Sequence, residues 1–307
     1  MRTSAKPSVS KRQRKKGLIL LTFMIPGLLF YLVFHYAPMY GTLIAFQDYN
    51  PFLGFAKSPW VGFKHFDEFF HSLYFWRLLK NTFLLSFENI IFSFPMPIIF
   101  ALMMYEVKHN RLRSAIQSLS YFPYFISIVV LCGLIRNFTS PSTGVINAQI
   151  EAVGGTPIDF MSDPAWFRPI YIISGIWQGM GWNSIIYYAT LTSVDVSLYE
   201  AADIDGANRL HKIRYISLPA LMPTIITLLL VNLGNMMNVG FEKVMLLYSP
   251  ATYNTADIIS TYVYRSGMVS LQYSYAAAVG LFNSLIGICL IVIFNLLARR
   301  FTSTSLW

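Results

Sequence analysis

The chain has 307 residues, 55% of them hydrophobic and 12% charged, with a formal net charge of +9. That balance excludes an ordinary soluble domain, and the length excludes a large multidomain enzyme. The two cysteines, Cys132 and Cys289, both fall in apolar stretches and give no disulfide framework, and the five histidines are scattered without metal-ligand spacing.

A helix that crosses a bilayer needs about 20 mostly apolar residues. Six stretches qualify: Gly17–Tyr40, Leu79–Tyr105, Ser114–Arg136, Phe167–Thr190, Leu218–Met237 and Ala276–Ala298. They predict one all-α integral membrane domain over residues 17–298, with a basic N-terminal arm over 1–16 and a short tail over 299–307. The arm, with Lys11, Arg12, Arg14, Lys15 and Lys16 next to the first stretch, is expected to be disordered. A cleaved signal peptide would end in small residues, whereas this stretch runs into Phe34–Tyr40, bulky and aromatic, so a retained first helix is expected.

Lysine and arginine set the orientation. With the N-terminus in the cytoplasm, the seven bases of the arm fall inside, together with Lys108, Arg111 and Arg113, then Arg209, Lys212 and Arg214, then Arg299 and Arg300. That is 15 of the 23, and the longest outer loop, Phe138 to Phe167, has none. Both termini are therefore expected in the cytoplasm of a multi-pass plasma-membrane protein. The positive charge is this bias rather than a nucleic-acid surface.

Along the chain, the aromatic segment 41–78 is expected on the outer surface, where Trp and Tyr favour the interface. Pro95 and Pro97 should kink the second span, and the short basic connection 105–113 makes spans two and three antiparallel neighbours. Within the loop 137–166, residues Val145–Val153 read as one short amphipathic helix. Residues 239–275 read as an aromatic, mildly polar outer loop.

The most informative segment is the polar island between spans four and five, a cytoplasmic loop over 191–217. Asp195, Glu200, Asp203 and Asp205 cannot be left in hydrocarbon, where even mild scales assign about 2.5–3.5 kcal/mol to a central charge. Ser197-Leu198-Tyr199-Glu200 fits a capping box, in which Ser197 and Glu200 satisfy each other's backbone amides. A helix starting there would end at Gly206 in a left-handed residue. Leu198, Ala201 and Ala202 share a face small enough for a groove, and Pro219 suits the first turn of the next span. From the residues alone this is either a partner-binding helix–turn–helix or an ordinary connector kept out of lipid by its charges.

Glu200-Ala201-Ala202, then Gly206, Ile216 and Leu218-Pro219 at their spacing resemble the cytoplasmic signature of the permeases of binding-protein-dependent ABC importers. Pro38-Met39-Tyr40-Gly41, Asp48-Tyr49-Asn50-Pro51, Pro59-Trp60-Val61-Gly62, Tyr121-Phe122-Pro123 and Asn238-Val239-Gly240-Phe241-Glu242 extend the resemblance to the carbohydrate-uptake permeases, the subgroup for oligosaccharides and polysaccharide fragments. The resemblance implies a type I importer permease fold with six transmembrane helices, in which the island is a coupling helix seated on a separate ATPase. It carries the ATPase contact to Glu200, Ala201, Ala202, Asp205 and Gly206; Leu198 and Tyr199 join them from the helix face. It further implies a second homologous permease subunit in a heterodimer, two ATPase subunits that bind ATP and Mg, an extracellular solute-binding protein, and no cofactor in this chain.

For a sugar path, span four offers Trp177, Gln178, Trp182 and Asn183, and span five offers Asn232, Asn235 and Asn238. Aromatic faces suit pyranose rings and amides suit their hydroxyls. The same groups also serve as interhelical hydrogen-bond glue. The resemblance favours Trp177, Trp182, Asn235 and Asn238 as cavity residues. Glu242 is either an outer-gate residue or a solvated cap, and Glu88, an acid well inside a span, is either functional or a paired structural group. A secondary transporter would show repeats or a chain of intramembrane acids, and a membrane enzyme would show a nucleophile or metal set; neither pattern occurs. Nothing matches G-x-x-x-x-G-K-S/T, so the chain is expected to have no catalytic residue and no ATPase site of its own. A permease for a non-sugar solute is the alternative, with a secondary transporter ranked behind it.

Overall fold

The computed structural model describes the backbone of residues 11–301 and the side chains of residues 21–300. Helix α1 (Lys11–Tyr31) continues through further helical turns to Phe46, and α2 (Lys64–Phe70) lies in the outer segment. Then come α3 (Phe75–Tyr105), α4 (Asn110–Tyr121), α5 (Ile128–Phe138), α6 (Val145–Ala152) and α7 (Pro164–Thr192). The chain closes with α8 (Val196–Ile204), α9 (Arg209–Gly234), α10 (Phe241–Leu247), α11 (Ile259–Tyr264) and α12 (Tyr273–Phe301). Among the described residues the fold is all-helical, with a single isolated bridge between Gln47 and Trp60. Of the expected disordered arm, Lys11–Lys16 belong to α1; residues 1–10, and 302–307 of the tail, lie outside the described residues.

Among the described residues four helices are long and apolar enough to cross a membrane: Leu21–Phe46, Phe75–Tyr105, Arg209–Gly234 and Tyr273–Arg300. The α4–α5 pair makes a fifth if it is one span, but it is bent by 95°. The expectation of one continuous helix over Ser114–Arg136 is therefore corrected. Pro123 ends α4 in a 3-10 turn, and Ser127 starts α5 by accepting a hydrogen bond from the Val130 amide at 3.3 Å. The 29 residues of α7 suffice for a span. Its Trp-Gln-Gly-Met-Gly-Trp-Asn middle keeps it below the hydropathy of the others.

Three prolines share one device. Pro38, Pro95 and Pro219 follow π-helical turns at Leu32–Tyr36, Asn89–Ser93 and Ile213–Ser217. In each case the carbonyl four residues before the proline, at Phe34, Ile91 and Tyr215, belongs to the middle residue of the wide turn. A proline ring would clash with that carbonyl in a regular helix, and the extra residue in the turn gives it room. Pro95 thus does not break α3, and Pro219 lies in the first turn of the regular α-helical part of α9, Leu218–Gly234, with the π-helical turn running into it.

The C-terminal part of α3, Pro95–Tyr105, packs along α7, and α12 packs on α9 and on Tyr40–Phe46. One core cluster joins Leu85 of α3, Cys132 of α5 and Tyr171 of α7 to Val239, Val244, Leu247 and Ile258. Residues 239–275 are therefore a helical part of the core, which corrects the expected loop. Asp257, Thr252, Thr255 and Thr261 are paired internally, so composition alone made the segment look solvated. Helix α6 forms where expected, and Asn147 ties its loop together through Ile158, accepting from its amide at 2.8 Å and donating to its carbonyl at 3.0 Å. Both cysteines are free thiols. From Leu21 to Tyr40 the side chains of the first helical segment are exposed throughout.

Candidate functional site

The polar island folds as helix–turn–helix, with a different start from the one expected. Helix α8 is capped by Asp195, whose carboxylate accepts from the Ser197 amide at 3.0 Å. That backbone hydrogen bond holds the Asp195 carboxyl below its usual range. The Ser197–Glu200 capping box is absent, because the earlier acid already satisfies the helix start. At the other end Gly206 has φ of +73°, and the Ala207 amide donates to the Ala202 carbonyl at 2.8 Å, the pattern that closes a helix on a left-handed residue. Asn208 then caps the first turn of α9 by accepting from the His211 amide at 2.9 Å, and Lys212 pairs with Asp203 across the turn.

Leu198, Glu200, Ala201, Asp205 and Gly206 are exposed and Ala202 is half-buried, so the turn presents them outward. Ile204, Leu210 and Tyr215 add large apolar surface around them. Tyr199 behaves differently. Its hydroxyl lies 2.9 Å from Ser217 Oγ and its ring lies 5.6 Å from that of Tyr105, so it fastens α8 to the bundle instead of facing outward. Arg209 approaches Glu106 at 3.9 Å, which puts the island and the 106–109 connection at the same end of the molecule.

A cavity of about 550 Å³ opens between α3, α7 and α9, lined by Asn89, Ser93, Trp182, Asn183 and Asn232 among others. A smaller chamber of about 160 Å³ shares Asn89 and Asn232 and continues to Asn235 and Asn238. Amides and aromatic faces share the walls with aliphatic side chains, and no lining residue of either chamber carries a formal charge. Trp182 stacks on Tyr124 with centroids 4.8 Å apart and planes at 6°, and Phe125 meets its edge at 5.6 Å. Gly181 makes this possible, since a Cβ there would lie 2.8 Å from the Cβ of Ser120 and closer still to its backbone. The broken α4–α5 pair thus presents its turn to α7.

Of the residues expected on the path, Trp182, Asn183, Asn235 and Asn238 line these chambers. Trp177 does not: five residues along a helix turn it about 140° from Trp182, and it lines an apolar groove with Leu131 and Ile173. Gln178 donates to the Ile126 carbonyl at 2.9 Å and so satisfies the backbone freed at the α4–α5 break. Glu242 is exposed and lines neither chamber. Asn89 and Ser93 were not anticipated; an amide and a hydroxyl beside a proline kink were the only signal. Glu88 is paired, 3.3 Å from Arg168, which also donates to Asn81 Oδ1 at 3.1 Å.

At the opposite end from the island, Asp257 is wholly buried and bound by Arg265 at 2.8 Å, Arg77 at 3.2 Å and Thr261 Oγ1 at 2.9 Å. Asn81 donates to the Asp257 carbonyl at 3.1 Å, linking this cluster to the Arg168–Glu88 pair. Among the described residues no group of His, Cys, Asp and Glu has the arrangement of a metal centre.

Residues 82–303 match the family described as binding-protein-dependent transport system inner membrane component. Protein LplB of Bacillus subtilis (strain 168) is 44% identical over 295 residues, covering 96% of this chain and 92% of its own. The polygalacturonan/rhamnogalacturonan transport system permease protein YteP of the same organism is 41% identical, covering 97% and 95%. A chain of a bacterial alginate ABC transporter, solved in complex with an alginate pentasaccharide-bound periplasmic protein, superposes with a TM-score of 0.88 at 42% identity over 96% of this chain and 99% of that one. The chain belongs to the family of binding-protein-dependent transport system inner membrane components, the membrane-embedded permeases of ABC transporters.

Proposed function

We propose that this chain is one of two permease subunits of an ABC importer that brings a saccharide, an oligosaccharide or polysaccharide fragment, into the cell by alternating access. Two separate ATPase subunits hold ATP and Mg and drive it, and an extracellular solute-binding protein delivers the substrate. The reading is carried by one spatial relation: an outward-presented, tightly capped helix–turn lies at one end of the bundle, and an uncharged amide-and-aromatic cavity lies within it. Relatives named for polygalacturonan/rhamnogalacturonan and alginate transport support the substrate class.

In this reading α1, α3, the bent α4–α5 pair, α7, α9 and α12 are six spans with both termini in the cytoplasm. Glu200, Ala201, Ala202, Asp205 and Gly206, with Leu198, Ile204 and Leu210 around them, seat in an ATPase groove, while Tyr199 transmits the push to α9 through Ser217. Trp182, Asn183, Asn235 and Asn238, with Asn89 and Asn232, line the path: the indole offers a face to a pyranose ring and the amides exchange hydrogen bonds with its hydroxyls. The chain itself carries no ATPase site.

The test is uptake of labelled oligosaccharide into proteoliposomes holding this chain with its partner permease, ATPases and binding protein. Uptake should require ATP and every component. Flux through this chain alone, driven by an ion gradient, would refute the assignment.

A further inference from the structure

The cavity walls are uncharged, yet one ion stands directly behind them. Lys243 of α10 is only 6% exposed. Its Nζ donates to the Tyr171 carbonyl at 2.7 Å and lies 4.6 Å from the centroid of the Tyr171 ring. Nζ also fills the space beside Gly175, where a Cβ would lie 3.3 Å from it. Gly175 is wall of the larger chamber, and Tyr171 and Gly240 are wall of the smaller.

Among the described residues, no carboxylate lies within ion-pair distance of Lys243. Asp257 is engaged with Arg77 and Arg265 and Glu88 with Arg168, and Glu242 is exposed. A buried ammonium without a counter-ion is costly. Its one hydrogen bond, to a helix carbonyl, is within reach of an uncharged glutamine. The cationic charge is what sets lysine apart here, and in a water-poor interior its field reaches the chambers on both sides of Gly175 and Tyr171.

We propose that Lys243 gives the translocation cavity a positive potential and selects saccharides that carry carboxylates, the uronic-acid class, over neutral saccharides of the same length. The inference rests on the saccharide reading above and deepens it. Lys243 touches no substrate; it acts through the wall, as a specificity-determining residue.

The experiment compares trigalacturonate with its methyl ester, which keeps the shape and removes the charge. Binding of both is measured to the detergent-purified assembled transporter without its binding protein, so that only the cavity selects. The wild type should bind the acid more tightly by roughly tenfold, the scale of a unit charge about 10 Å away at an effective dielectric of about 20. Lys243→Gln should lose that preference while still binding the ester, Lys243→Arg should keep it, and added salt should narrow it.

A merely structural lysine would shift both affinities together in Lys243→Gln. Equal affinity for acid and ester in the wild type, or undiminished acid preference in Lys243→Gln, overturns the charge inference alone. Failure to bind either form overturns it together with the saccharide reading. Should Lys243→Gln not assemble, the wild-type comparison and its salt dependence still decide.

Discussion

Gly181→Ala tests the link between helix packing and the cavity. The added methyl would lie 2.5 Å from the Ser120 carbonyl carbon and 2.8 Å from its Cβ, with the carbonyl oxygen nearer still. These are mostly backbone atoms of α4, and they cannot swing aside as a side chain would. Ordinary carbon contacts are about 3.5 Å or more, so α7 and α4 must part by about 1 Å. Overpacking of this kind costs about 1–3 kcal/mol. A mid-range cost of about 2 kcal/mol corresponds to roughly 4–8 °C in Tm for a domain of this size. The separation would also pull Trp182 off Tyr124, now 4.8 Å between centroids. The assay is thermal unfolding of the purified complex together with oligosaccharide uptake in proteoliposomes. Gly133→Ala serves as the control, because its Cβ meets nothing within 4 Å in this chain. Unchanged Tm and uptake in Gly181→Ala would refute the claim that close approach at Ser120 shapes the site.

Three further outcomes are expected. Gly206→Pro cannot adopt a φ of +73°, and Glu200→Lys reverses an exposed charge; both should leave ATP hydrolysis by the complex running while uptake falls, and full coupled uptake in either would count against the ATPase contact. Asp257→Ala leaves Arg77 and Arg265 facing each other without the buried carboxylate. The loss should be about 3 kcal/mol, at the low end for a broken buried pair because both arginines are partly exposed, and it is read as a lower Tm that Asp257→Asn partly restores. Asn232→Ala removes an amide shared by the two chambers and should lower uptake several-fold with Tm unchanged, whereas unaltered transport would return it to a packing role.

Much of the site was legible because it depends on local chemistry. Gly206 ends its helix in the left-handed region, as its neighbours demanded, and the charges of the island could only lie outside hydrocarbon. The cap was misplaced by two residues because Asp195 and Ser197 are both good helix starters, and sequence does not say which one the backbone will reach first. Likewise Trp177 and Trp182 look equivalent in a span rich in both aromatics and glycine. Only the packing of α7 against α3 and α4 turns one to the cavity and the other away.

The segment 239–275 is the clearest case of information held in tertiary structure alone. Lys243, Asp257 and Arg265 read as loop charges, since nothing local marks them as buried. The partners Tyr171 of Lys243 and Arg77 of Asp257 lie 72 and 180 residues away in the chain. By itself, the sequence determined that the chain lives in a membrane, which ends carry its positive charge and where a polar helix–turn must project, because transfer costs, proline and glycine act residue by residue. The tertiary structure decided where α4–α5 breaks, which amides meet around one cavity and which lysine is left behind its wall without a counter-ion, because burial and pairing are properties of helices brought together in space.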